Sequence, residues 1–286
     1  MSKNSFGVWV DGARPRTLPA AVAPVLVATA LAGDSFNTLA ALLALIVSLS
    51  LQIGVNYAND YSDGIRGTDN DRIGPARITA GGLAKPAQVK SAAFISFGVA
   101  AVAGLGLAIT TSWWLIAVGA ISIAAAWGYT GGKNPYGYMG LGELFVFIFF
   151  GLVATVGSFY VQTNEITGQS ILAGVIVGSL ACAILVINNI RDRAKDEVVG
   201  KLTLAVRMGD KRSRIFCSVL VVAPYLLTAG FGTPWTLLTL LTLPMTISIL
   251  KALWSGIEGA GLIALLGKTG KLQMIFSLAL SLALII

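Results

Sequence analysis

Histidine is absent from the 286 residues, cysteine occurs only twice, and charged side chains make up 12% of the chain. The missing histidine removes the commonest general base and metal ligand in proteins. Cys182 and Cys217 both lie inside apolar runs, so neither a disulfide framework nor a zinc site is indicated. Charge at this level is about half that of an ordinary soluble domain, which carries roughly a quarter. Hydrophobic residues reach 56%, and they fall in long runs rather than amphipathic stripes. A soluble chain of this size must still cover itself with polar groups, whereas a bilayer tolerates apolar runs of about 20 residues as spanning helices. The N-terminus lacks the basic head, short apolar run and small-residue cleavage site of a signal peptide in sequence, so the first span is expected to act as its own insertion signal.

Nine apolar stretches are legible, over residues 17–33, 38–58, 89–110, 112–129, 141–161, 170–190, 214–231, 234–252 and 270–286. With the N-terminus in the cytoplasm and the sides alternating, all 20 Lys and Arg residues fall on the cytoplasmic side. The opposite side holds only short links marked by Asp34 and Glu165. The positive-inside rule selects this arrangement, with the C-terminus outside. It also accounts for the net charge of +7 without nucleic acid as a partner. The expected fold class is therefore all-α, a polytopic membrane protein of about nine helices in a single domain.

Residues 59–88 and 191–213 form the two charged loops. They contain Asp60, Asp63, Asp69, Asp71, Asp192, Asp196, Glu197 and Asp210, eight of the 13 acidic residues. Each opens alike, with Asn59-x-x-x-Asp63 in one and Asn188-x-x-x-Asp192 in the other. Matching motifs at equivalent points imply two pseudo-repeated halves, roughly 1–140 and 141–286. At about 100° per residue, Asn56, Asn59, Asp60 and Asp63 share one face of a continued helix, as do Asn188, Asp192 and Asp196. Like charges at this spacing repel, and the membrane edge makes their desolvation worse. A Mg2+ ion, which takes one or two carboxylates and completes its shell with phosphate and water, relieves both. Arg66, Arg72, Arg77, Lys85, Arg191, Arg193, Lys195 and Lys201 lie close by, suited to phosphate oxygens. A solvated charged face is the competing account of either loop taken alone.

These residues resemble the UbiA prenyltransferase superfamily. NDYSD at 59–63, with Arg77 downstream, resembles its first aspartate-rich motif, and NNIRDRAKDEVVGKLTLAVRMG at 188–209 its second. ARPRTLPAAVAPVLVATALAG and NDYSDGIRGTDNDRIGPARITAGGL are similar to the 1,4-dihydroxy-2-naphthoate (MenA) branch. The resemblance implies nine helices around a central cavity, capped at the cytoplasmic side by the motif loops. It further implies Mg2+ on Asp60, Asp63, Asp192 and Asp196, with Asn59 and Asn188 beside them and Arg77 and Lys201 on the diphosphate. The family's next aspartate falls at position 67, where this chain has Gly67; Asp69 and Asp71 lie just beyond as substitutes. The implied reaction transfers a polyprenyl group from its diphosphate to an aromatic acceptor. In the naphthoate branch the carboxyl group is lost as CO2, within a cell membrane.

Several residues carry two readings. Arg14 and Arg16 either bind the acceptor carboxylate or anchor the first span. Tyr129 faces the reacting groups or belongs to an interfacial aromatic belt. Glu143 serves the site or suits a helix N-terminus. Trp113 and Trp114 read as interface anchors. Gly267-Lys268-Thr269 imitates a phosphate-binding loop, but Gly261 is one residue too distant and no strand precedes it. Rival functions are another acceptor, such as 4-hydroxybenzoate or a haem precursor, and an ion-coupled secondary transporter. The charged clusters sit at one membrane edge rather than the midplane, which disfavours transport.

Overall fold

A computed structural model describes residues 5–68 and 77–286. Asp69, Asp71 and Arg72 lie outside the described residues. The helices in order are α1 (Ser5–Ala13), α2 (Pro19–Leu31), α3 (Thr38–Arg66), α4 (Pro86–Thr110), α5 (Leu115–Gly128), α6 (Gly142–Thr163), α7 (Gly168–Val198), α8 (Leu204–Leu227), α9 (Pro234–Trp254) and α10 (Gly261–Ile285). Among the described residues there is no strand. Seven helices, α3, α4 and α6 to α10, are long and apolar enough to cross a membrane. The other two expected spans, α2 and α5, are shorter, at 13 and 14 residues, or about 20 Å of rise. Pro15 and Pro19 delay the start of α2, since proline favours a turn or first helical position. The last helix begins at Gly261, nine residues before the expected boundary of 270. The P-loop look-alike Gly267-Lys268-Thr269 is thus part of α10.

Both motif helices run past their apolar stretches. Asn37 starts α3 by accepting from the Ala40 N–H at 3.0 Å. Gly67 ends it at φ 74°, a left-handed C-terminal cap of the kind glycine supplies at least cost. α7 starts with a reciprocal cap between Thr167 and Ser170 and continues to Val198. It is apolar and buried on nearly all sides, which marks the central helix of a bundle. Ile176, Leu180 and Ile187 are among its fully buried side chains, packed in one cluster with Phe276 and Leu280 of α10 and Cys217 and Val221 of α8. Between α6 and α7, Gly151 lies so close that a Cβ there would come within 2.8 Å of the Gly174 carbonyl and the Gly178 Cα. Small residues at such crossings let membrane helices approach backbone to backbone. At the contact, Phe147–Val153 winds as a π-helix.

The outer surface is apolar. Val102 and Leu226 are each about three-quarters exposed, and Ile95, Ile109, Leu237, Leu241 and Ile285 are also open. In water such a surface would aggregate; in lipid it is matched to its solvent. The chain is a multi-pass membrane protein. Trp113 and Trp114 are exposed between α4 and α5, and the Trp114 indole donates to the Tyr160 hydroxyl at 3.2 Å.

Candidate active site

The helices enclose a cavity of about 680 Å3. Its polar end is built by Asn59, Asp60, Asp63 and Arg77 from the first charged segment and by Asn188, Arg191, Asp192 and Lys201 from the second. Side chains far apart in sequence, from two helix ends, thus share one chamber. Much of the remaining wall is apolar, formed by Leu107, Leu115, Val118, Phe145, Phe149 and Phe150 among others.

On α3, Asn56, Asn59, Asp60 and Asp63 are all at least nine-tenths buried, as one shared helix face requires. Their tasks differ. Asp60 accepts from the backbone N–H groups of Ile78 and Thr79 at 2.9 and 2.8 Å. It was expected as a metal ligand; each of its oxygens accepts one N–H of the returning chain, because buried N–H donors must find acceptors, and each keeps a second lone pair. Asn59 accepts from the Thr130 hydroxyl at 2.7 Å. Asp63 accepts from the Tyr138 hydroxyl at 2.8 Å.

On α7, Asp192 is gripped by its neighbour Arg191, with Nε–Oδ1 at 2.7 Å and Nη2–Oδ2 at 2.5 Å. The same guanidinium donates to Asn188 Oδ1 at 2.8 Å. Asp196, one turn on, is buried and lies 3.8 Å from the Lys201 ammonium. It backs Lys201, whereas Asp192 and Lys201 themselves line the cavity. Glycine at position 200 (φ 72°) turns the chain so that Lys201 N–H donates back to the Asp196 carbonyl at 2.7 Å.

A third segment joins the two. Arg66 donates to the carbonyls of Thr130 and Gly132. The Tyr138 carbonyl accepts from the Leu202 N–H at 3.0 Å, while its ring lies 5.2 Å from Lys201 Nζ and 5.4 Å from the Arg66 guanidinium carbon. Burial, and then the adjacent Asp63 carboxylate, push the Tyr138 phenol above its ordinary range, so it stays protonated and able to donate. Sequence reasoning missed Tyr138 and Thr130. The only sequence signal was the turn-rich run NPYGYMG in a link otherwise too short to explain.

The remaining expected residues are placed as follows. Arg14 and Arg16 both line the cavity. Arg14 sits at φ 53°, a left-handed conformation costly for a non-glycine residue. Its side chain donates to the Asn56 carbonyl at 3.3 Å. Thr17, Gln52 and Asn56 bond to one another at 3.0 to 3.4 Å on the same wall. Tyr129 lines the cavity, with its ring edge-on to Tyr136 at 5.5 Å. Glu143 is 4% exposed and accepts from Asn189 at 2.8 Å, so it supports the α7 wall from behind.

Two carboxylate-bearing helix ends and basic side chains at one end of a largely apolar chamber suit a membrane enzyme acting on an anionic head with a lipid tail. The UbiA prenyltransferase family profile matches residues 21–261. The chain belongs to the UbiA prenyltransferase family. It is 48% identical over 284 residues to the 1,4-dihydroxy-2-naphthoate octaprenyltransferase of Mycobacterium tuberculosis, covering 98% of this chain and 97% of that protein. With the enzyme of the same description from Escherichia coli it shares 39% identity over 253 residues, covering 84% and 82%. Among solved structures, a UbiA homolog from Aeropyrum pernix superposes with a TM-score of 0.71 at 15% identity, over 98% of both chains. A UbiA homolog from Archaeoglobus fulgidus bound to GPP and Mg2+ gives 0.67 at 15% identity, over 97% of this chain and 99% of that one. Those structures share the fold.

Proposed function

We propose that this protein transfers a polyprenyl group from its diphosphate to 1,4-dihydroxy-2-naphthoate, with loss of CO2, giving the demethylmenaquinone skeleton of menaquinone biosynthesis. The observation that carries the reading is that Asp63 and Asp192, with Arg77 and Lys201, line one cavity that also carries a long apolar stretch of wall. Named relatives with this activity, at up to 48% identity over nearly the whole chain, support the acceptor.

The residues fit a Mg2+ ion by their donor chemistry. Among the described residues no three acidic side chains converge as a preformed cage, and Mg2+ bound through substrate phosphate needs only one or two carboxylates. Asp63 and Asp192 are the ligands we assign, with Asp196 one turn further along the same helix. Asp60 lines the same cavity and, like Asp192, keeps a lone pair on each oxygen for the ion. When bound, the ion neutralises charge developing on the departing diphosphate.

The chain's own residues supply the rest. Arg77 and Lys201 hold the diphosphate oxygens while its C–O bond breaks and the electron pair leaves with it. Tyr129 stands at the same wall, its π-face available to the allylic cation. The apolar chamber excludes water from that cation. The electron-rich ring then forms the new C–C bond at the carbon bearing the carboxyl group, which departs as CO2. Arg14 and Arg16, which line the same cavity, orient that carboxylate. The cell membrane is the expected location, with the motif loops and N-terminus cytoplasmic and the C-terminus outside, and we read the two motif-bearing halves as an internal repeat.

The test offers purified protein one polyprenyl diphosphate with 1,4-dihydroxy-2-naphthoate, 4-hydroxybenzoate or a haem precursor, with and without Mg2+. Mass spectrometry should find prenylated, decarboxylated naphthoate only when Mg2+ is present. Preference for either other acceptor would overturn the assignment. Solute uptake without diphosphate release would favour the transporter.

A further inference from the structure

The contact that joins the two halves of the polar chamber belongs to neither aspartate motif. It is made by the link between α5 and α6, and chiefly by one side chain. Tyr138 donates its hydroxyl to Asp63 at 2.8 Å, on the first half. Its carbonyl accepts from Leu202 at 3.0 Å, on the second. Its ring sits 5.2 Å from the Lys201 ammonium and 5.4 Å from the Arg66 guanidinium, where cations are attracted to the π-face.

The link is anchored without that side chain. The Tyr136 hydroxyl donates to the Ala125 carbonyl at 2.8 Å. Gly140 sits at φ 78°, and a Cβ there would come within 2.9 Å of Arg207 Nε. Arg207 in turn donates to the Leu202 carbonyl at 3.2 Å. The backbone of the link is therefore held on one side of Tyr138 by α5 and on the other against the second loop. That leaves its phenol for another task.

We propose that Tyr138 is a positioning residue: its hydroxyl fixes the Asp63 carboxylate in the orientation that receives the metal–diphosphate, while its ring and carbonyl keep Lys201 in register with that carboxylate. This rests on the prenyl-transfer reading. A hydrogen bond to an ionised carboxylate is short and strong, and it removes rotamers of Asp63 that would otherwise have to be frozen when ligand binds. Tyrosine is the side chain that does both tasks, because phenylalanine keeps the ring but has no donor.

The two tasks separate by substitution. Tyr138→Phe deletes only the hydroxyl, and Tyr138→Leu deletes the ring as well. Mn2+ binding, followed by electron paramagnetic resonance with a non-cleavable prenyl thiodiphosphate present, reads the site without turnover. Tyr138→Phe should weaken Mn2+ about tenfold, as expected for one hydrogen bond to a charged group. The Mg2+ concentration for half-maximal rate should rise to match, while KM for the prenyl diphosphate at saturating Mg2+ and the thermal transition in detergent stay near wild type. Tyr138→Leu should in addition raise that KM. Wild-type Mn2+ affinity in Tyr138→Phe, or a loss only in proportion to unfolded protein, overturns the positioning role alone. A wild-type protein that neither binds Mn2+ with the analogue nor releases diphosphate overturns the prenyl-transfer reading and this inference with it.

Discussion

Gly67 occupies the position where the family's first motif has a further aspartate. Its φ of 74° ends α3, so the missing carboxylate reflects a helix stop. Gly67→Ala should cost about 1 kcal/mol through left-handed strain, read as a lower thermal transition in detergent with ligand affinity little changed. The paired acidic faces were legible in the sequence because i, i+4 spacing on a helix fixes them. The division of labour among them was not. Asp60 bonds to Ile78 and Thr79, and Tyr138 meets Asp63, through chain reversals that leave no periodic trace. Arg214, which read as a topology-setting charge, is 4% exposed. It donates to Asp210, to the carbonyl of Leu253 in the last turn of α9 and to that of Ile257 just beyond it. Arg214→Ala strands those acceptors and should destabilise by about 2–4 kcal/mol, with no change in Mg2+ dependence in the protein that remains folded.

At the level of whole helices, apolar run length placed α4, α6 and α9 to within three residues and the starts of α3 and α7 to within two, but α3 and α7 continue eight residues past their apolar runs. It placed the starts of α8 and α10 ten and nine residues late, because the charged run after Leu204 and the interruption at 267–271 are helical yet look like loop. Gly209 (φ 76°, ψ 171°) interrupts α8 five residues before the point where the sequence placed its beginning. The α6–α7 contact depends on backbone proximity at Gly151, Gly174 and Gly178. Gly178→Leu would drive a side chain into the Phe147 carbonyl and the Gly151 Cα, 3.3 and 2.9 Å from its Cβ, and should lower the yield of folded protein. Gly119 and Gly157 behave oppositely. Both line the cavity, and a Cβ at either meets nothing within 4 Å. Gly119→Leu should therefore fold normally but shorten the isoprenoid accepted. With diphosphates of increasing chain length in competition, the variant should keep its rate on the shortest and lose it on the longest; equal use of all lengths would show that the tail runs elsewhere.

Over the whole molecule, the sequence announced the membrane, and the apolar exterior of α4, α8 and α10 agrees. That the two charged segments meet was expected, but the third member of the chamber, the 130–141 link, was hidden. All three gather at one end of the bundle, where the N-terminal Arg14 and Arg16 also lie along the same cavity. Single cysteines placed at Lys133 and Lys211 should therefore be labelled by a membrane-impermeant reagent only from the cytoplasmic face, and one at Glu165 only from the other. The central claim is that carboxylates of both halves hold one metal–diphosphate together. Its most direct measurement is a calorimetric binding cycle with Mg2+ and a non-cleavable prenyl thiodiphosphate on wild type, Asp63→Asn, Asp192→Asn and the double variant. Shared ligation predicts that each single change removes most of the affinity and the double adds little. Two modest losses that simply add would contradict it.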